Sequence, residues 1–132
     1  MRALADAFVS YVPSRLIHRL SAGGVCAPFV ERFPAAVLFA DISGSVRLAE
    51  RLAVRGAEGA EEFSRLLNAY LGVLIDEVAA HGGDVVKFAG DGLFALWPAP
   101  ENDLATATHS AAQCALGVQR AVHALGAGSA VP

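Results

Sequence analysis

The sequence has no lysine- or arginine-rich run and no apolar stretch approaching the length of a membrane span. Its 10 basic and 13 acidic side chains leave a formal net charge of −3. A protein that works on nucleic acid or on an anionic membrane surface carries clustered positive charge, so neither is expected as a partner. The longest apolar run, Ala35 to Ala40, is far short of the ~20 residues that cross a bilayer. The N-terminus, "MRALADAFVSYVP", carries Asp6 and lacks a long apolar core. It does not read as a secretory signal, and a cytoplasmic location is expected. Cysteine is scarce. Cys26 and Cys114 stand in apolar or small surroundings without metal-ligand spacing and read as buried free thiols in a reducing compartment. Charged residues are few, at 17%, against 55% hydrophobic, which excludes disorder and supplies a core.

The 132 residues make one domain or a piece of one. Residues 1–34 read as a peripheral helix and linker. Pro13 marks a helix start, Leu16, Ile17 and Leu20 share one face, and Gly23 ends it. His18 reads as a surface or boundary residue. Residues 23–34 mix Gly, Pro and charge, as linkers do. Residues 35–126 read as the core domain and residues 127–132 as a flexible tail.

"AAVLFADI" is a short continuous apolar run and predicts a strand buried on both faces. "VRLAERLAV" places Val46, Ala49, Leu52 and Ala53 at helical spacing. Phe63, Leu66, Leu67, Tyr70, Leu71, Leu74, Ile75 and Val78 then carry the clearest helical periodicity in the chain. "HGG" at 81–83 stops that helix, with His81 at its C-terminus. "DVVKF" and "LFALW" are strand candidates joined by "AGDG", a hairpin. Asn102 or Asp103 caps a last helix whose face runs through Leu104, Thr108, Ala111, Ala115, Val118, Val122 and Leu125.

The order β, α, α, β, β, α is that of a split βαβ sandwich of the ferredoxin-like kind, an α+β fold, with one extra helix in the first crossover. A crossover helix normally returns to a parallel strand. The last helix returns to none, so the chain is expected to be a fragment with the final strands missing.

This topology makes sense of two acids. "FADISGS" ends an apolar run on Asp41, and "AGDG" sets Asp91 between two glycines. Alone, Asp41 reads equally as a helix N-cap and Asp91 as a turn residue. In the split βαβ order, the second hairpin strand lies antiparallel beside the first strand, which puts both carboxylates at one sheet edge. Two hard oxygen ligands there suit Mg²⁺, whose usual remaining partner is a phosphate. The loop after Asp41 bends at Gly44 into a helix whose free amides suit an anion.

"VLFADISGS" and "GGDVVKFAGDGLFALW" resemble the class III nucleotidyl cyclases, which make cyclic AMP or cyclic GMP. Within that family they resemble most the catalytic lobes, notably the first lobe, of soluble, bicarbonate-responsive adenylyl cyclases and their bacterial relatives. The resemblance covers about residues 34 to 125. It implies that Asp41 and Asp91 are the catalytic acids and hold two Mg²⁺ ions, for which Mn²⁺ can substitute. It adds the carbonyl of Ile42 as a metal ligand. It assigns the triphosphate of ATP, or of GTP, to the loop of Ile42, Ser43, Gly44, Ser45 and Val46. The implied reaction is in-line attack of the ribose 3′ hydroxyl on the α-phosphate, releasing pyrophosphate.

The chain departs from the family at Ser45 and Val46, where an aromatic and a threonine are usual. Ser45 is read as removing an apolar cover from the loop and Val46 as losing a hydroxyl, which weakens substrate grip. The family's transition-state asparagine and arginine come from strands beyond the last helix, so a second lobe, in the same polypeptide or in a homodimer, is the expected partner. Lys87 has two fates in the family: it reads the purine in homodimers, or lies in the pseudo-site of a tandem protein's first lobe, where it helps bind bicarbonate. Two other readings compete. A noncatalytic regulatory or nucleotide-binding lobe would carry the same motifs. A diguanylate cyclase is suggested by "HGGD", but here that stretch ends a helix and the hairpin carries "AGDG".

Overall fold

Residues 35–40 form the first strand, but it is covered on one face only: Val37 and Phe39 alternate outward and stay exposed, which corrects the expectation of a strand buried on both faces. The structure, a computed structural model, describes residues 12–23 and 27–128. Residues 1–11 of the stretch read as lacking a leader, Cys26 and the last four residues of the expected tail lie outside the described residues. The elements are α1 (Ser14–Gly23), β1 (Ala35–Ala40), α2 (Ser45–Ala53), α3 (Ala57–Ala80), β2 (Asp84–Ala89), β3 (Gly92–Pro98), a 3-10 turn (Pro100–Asn102) and α4 (Leu104–Gly128). From β1 onward this is the expected order, and the fold is α+β of the ferredoxin-like class. Among the described residues, no helix is long and apolar enough to cross a membrane.

The sheet order is β1-β3-β2, antiparallel throughout. β3 is the central strand. It pairs with β1 from Ala35 opposite Pro98 to Ala40 opposite Leu93. It pairs with β2 from Asp84 opposite Leu96 to Ala89 opposite Gly92, with a bulge between Val85 and Lys87. Alternation along β3 turns Leu93, Ala95 and Trp97 toward the helices, where they meet Leu74 and Val78 of α3 and Ala107, Ala111, Cys114 and Val118 of α4. Ala36, Leu38 and Ala40 of β1 pack on the same cluster. Leu74, Val78 and Leu93 are fully buried, each worth about 1.5–3 kcal/mol of burial. Burial raises the pKa of the Cys114 thiol, with Glu77 adding to the effect, so this free cysteine is an inert core residue.

The opposite sheet face is only partly covered. Phe39 and Phe94 stack there with ring centroids 4.6 Å apart. Val37 and Phe39 remain 64% and 52% exposed. α1 lies across the other end of this face, where Leu16 and Phe33 share a hollow of about 180 Å³ with Val86 and Leu96. Asp84, the first residue of β2, holds α1 in place. Its two carboxylate oxygens accept the Ser14 and Arg15 amides at 2.9 and 3.0 Å, satisfying two of the helix's unpaired donors. Glu31 pairs with Arg15 and Arg19, whose guanidinium groups lie over Phe33 and Phe29. Phe29, Glu31 and Phe33, in the stretch read as linker, are therefore fastened to α1.

α3 ends against Trp97. The indole Nε1–H donates to the His81 carbonyl at 2.8 Å, and a side chain at Gly83 would lie 2.5 Å from the indole ring. Gly83→Ala should lower stability by about 1–3 kcal/mol, as overpacking does. It should also red-shift the emission of the only tryptophan. Gly72 sits in α3 with open space around it. Gly72→Ala should instead raise the melting temperature, by removing a flexible helix residue.

Asp103 caps α4 by accepting the Thr106 amide at 3.1 Å. The Thr106 hydroxyl, and then its amide, hold the Asp103 carboxyl below the usual carboxylate range. A lowered folded pKa means the cap stabilises above the unfolded value of about 4 and is lost as pH falls through the folded value. Asp103→Ala should lower the melting temperature at neutral pH, and thermal melts at descending pH should show that gap closing.

Candidate functional site

Antiparallel pairing brings the C-terminal end of β1 to the start of β3, and the two acids flank that junction. Asp41 follows the last residue of β1. Asp91 sits with Gly90 in the two-residue turn between β2 and β3, and Gly90 takes the positive φ, 66°, that such a turn needs. Gly92 is what allows the approach. A β-carbon there would lie 2.7 Å from the Ala40 carbonyl oxygen and 3.1 Å from Oδ1 of Asp41. The Asp41 carboxyl consequently lies against Gly92, the residue next to Asp91.

Asp41 is not the helix cap. That position belongs to Gly44, at φ 82°, which contributes no side-chain bond to α2. The Ile42 carbonyl accepts the Ser45 amide at 3.4 Å in the intervening turn and keeps a second lone pair free. The start of α2 is thus a turn of small residues without a side-chain cap, the arrangement that suits an anion.

Ser45 does not leave the loop uncovered, as its sequence position suggested. It is buried, while Val46 is exposed. The polar Ser45 side chain, then the Asp91 amide and the Asp41 carboxyl, hold the Asp91 carboxyl below the ordinary carboxylate range. α2 packs on the site through its first residue, a hydroxyl, where helical spacing had pointed to Val46.

Tyr70 of α3 was read only as part of an apolar helix face. It is half-buried on the core, and its phenol is raised above its ordinary value by burial and then by the charges of Asp41 and Asp91. The one available signal was its polar tip, in a face otherwise filled by aliphatic side chains and one phenylalanine. Lys87 stands apart from the acids. It is exposed on β2 opposite Phe94, and it lines a hollow of about 190 Å³ with Pro13 and Ile75.

Among the described residues, no point gathers three or more His, Cys, Asp or Glu side chains. A cation here would rest on the two carboxylates and the Ile42 carbonyl. This all-oxygen, doubly acidic set fits Mg²⁺ or Mn²⁺ and leaves coordination positions for phosphate oxygens.

No protein-family model matches the chain. Over 93 residues, 69% of the chain, it is 34% identical to adenylate cyclase type 10 of Oryctolagus cuniculus and 33% identical to that of Homo sapiens. Over 118 residues, 89% of the chain, it is 31% identical to adenylate cyclase 1 of Rhizobium meliloti. The matched stretches make up 6%, 6% and 17% of those relatives, so the chain spans only a small part of their length. In fold it is similar to a bacterial light-regulated adenylyl cyclase, with a TM-score of 0.66 at 21% identity over 89% of this chain and 31% of that one.

The acid pair has a spectroscopic consequence that needs no ligand. Neutralising both acids, by Asp41→Asn with Asp91→Asn, should lower the pH at which Tyr70 ionises, since a phenolate then forms farther from negative charge. The value should stay above the free phenol's because the burial contribution remains. Absorbance titration near 295 nm, with Tyr70→Phe to identify the signal, reads this directly. A phenol that ignores both changes would place Tyr70 outside the field of the acids.

Proposed function

The region that matches these proteins is part of a class III nucleotidyl cyclase domain, and on that premise we propose that it supplies the metal- and triphosphate-binding half of a site converting ATP to cyclic AMP and pyrophosphate. The observation that carries this reading is the convergence of Asp41, Asp91 and the uncapped start of α2 at one sheet edge. Asp41 and Asp91, with the Ile42 carbonyl, would hold two Mg²⁺ ions, or Mn²⁺ in their place. When bound, such ions activate the ribose 3′ hydroxyl and neutralise charge on the triphosphate.

The chain's own residues do the rest of the binding. The loop of Ile42, Ser43, Gly44, Ser45 and Val46 offers backbone amides to the triphosphate, and Gly44 lets the main chain come close. Val46 brings no hydroxyl, so the grip there is by main chain alone. Purine reading and the stabilisation of transition-state charge fall to a second cyclase lobe, in the same polypeptide or in a homodimer. The exposed face around Val37, Phe39 and Phe94 is an apolar surface of the kind such a lobe covers. Lys87, on that side of the sheet, reads the base in a homodimer or binds an anion such as bicarbonate in a tandem first lobe. A cytoplasmic location fits a nucleotide substrate.

The test joins the chain to a complementary class III lobe and measures cyclic AMP with Mg²⁺ or Mn²⁺. Asp41→Asn or Asp91→Asn should each cut turnover by about two orders of magnitude, the scale of losing a main charge-stabilising group. The metal-free melting temperature should hold or rise slightly, because one of two repelling charges is gone. A steep fall in melting temperature would make the acids structural. Metal-dependent nucleotide binding without product would favour the noncatalytic-lobe reading.

A further inference from the structure

The hollow beneath α1 is apolar inside and charged at its rim. Its walls are Leu16 from α1, Phe29 and Phe33 from the segment after it, and Val86 and Leu96 from β2 and β3. Neither Lys87 nor the acid pair lines it. Its volume is about 180 Å³. Apolar cavities of about 150 Å³ take up a benzene ring, whereas drug-sized ligands occupy roughly 300–1,000 Å³. The space therefore suits a single ring.

The rim is unbalanced in charge. The charged residues that line the hollow are Arg15, Arg19 and Glu31, two cations against one anion. One Glu31 oxygen accepts from Arg15 at 2.7 Å and the other from Arg19 at 3.0 Å. A guanidinium carries five N–H donors, so a single shared carboxylate leaves most of them over. The guanidinium carbons of Arg15 and Arg19 lie 4.0 and 3.9 Å from the ring centroids of Phe33 and Phe29, which joins the cations to the aromatic walls. Arg15 Nε is also the one buried side-chain polar atom without a hydrogen-bond partner among the described residues. A buried donor lacking an acceptor is costly, and a second acceptor at this rim would relieve it.

We propose that this hollow binds a small aromatic carboxylic acid as its anion. The ring enters among Leu16, Phe33, Val86 and Leu96. The carboxylate meets Arg15 and Arg19 at the rim, where it cancels the unmatched positive charge through charge-assisted hydrogen bonds. A bound acid touches α1, the stretch after it and the sheet together. It thereby strengthens the attachment of α1, which otherwise rests on the Asp84 cap and the Glu31 pairs. The site is separate from the proposed reaction and does not depend on it.

Benzoate is the probe, titrated into the full chain and followed by methyl and amide NMR, with benzyl alcohol as the uncharged ring of similar size. Benzoate should shift the methyl signals of Leu16, Val86 and Leu96 saturably and slow hydrogen exchange at the Ser14 and Arg15 amides. Benzyl alcohol should bind more weakly. Arg19→Gln should weaken benzoate about fivefold, the most that an exposed ion pair contributes, and leave benzyl alcohol little changed. Val86→Phe fills the hollow and should abolish binding of both. The identity of the shifted methyls in the unaltered chain locates the site even if that variant folds badly. Lys87→Ala and Arg120→Gln alter residues outside the hollow and should bind benzoate normally. The absence of a saturable shift at those three methyls would overturn the proposal. So would equal affinity for benzoate and benzyl alcohol, or loss of benzoate binding in Lys87→Ala.

Discussion

Asp41 and Asp91 are held beside each other by strand pairing, and two like charges so placed push apart until a cation or a proton relieves them. The scaffold has to bear that repulsion, and its construction follows from the need. β3 is paired on both sides and packed on α3 and α4 through Leu93, Ala95 and Trp97. Each acid sits one residue beyond the end of a strand belonging to this block or inside the tight turn next to it. Neither can drift far without breaking ladder hydrogen bonds or exposing the core. The polar groups around them, Ser45 from α2 and Tyr70 from α3, arrive on separate elements packed against the same block. The site is a point where four segments of chain are forced to meet.

Much of this was legible in the amino-acid order. The apolar run to Ala40, the long periodic face of α3, the glycine pair that ends it and the hairpin around Asp91 are all local signals, and local signals suffice where an element is strongly patterned. The meeting of Asp41 and Asp91 followed from topology alone. The residues that escaped share a different property: their roles depend on what lies opposite them in space. Tyr70 has the same helical spacing as a leucine, and only the acids nearby distinguish it. Ser45 read as a lost aromatic because nothing in its neighbours' identity shows that the fold buries it. Asp84 looked like the start of a strand, yet the amides it holds lie about seventy positions earlier.

The attachment of α1 shows how a segment that looks peripheral joins a domain. Its buried apolar area is small, and its helix has no buried residue. What fixes it is polar and directional: a two-oxygen cap from Asp84, and guanidinium groups held between Glu31 and two phenylalanine rings. Exposed ion pairs of this kind each contribute little, so the order of α1 depends on several acting together. The same β2 that receives α1 at its first residue leads directly into the turn that carries Asp91.

Gly92 and its neighbour Asp91 answer to different demands, and that difference bears on how such a domain ages. Every replacement at Gly92 adds at least a β-carbon, and the space it would take belongs to a main-chain oxygen of β1. The glycine is therefore required by strand pairing, whether or not any chemistry takes place. Strand pairing makes no such demand of Asp91, which sits in the turn beside it. If selection on the reaction lapsed in one copy of the domain, the acid would be free to vanish while the glycine stayed. The outline of the domain would survive the loss of the acid, because the pairing that shapes it rests on the glycine.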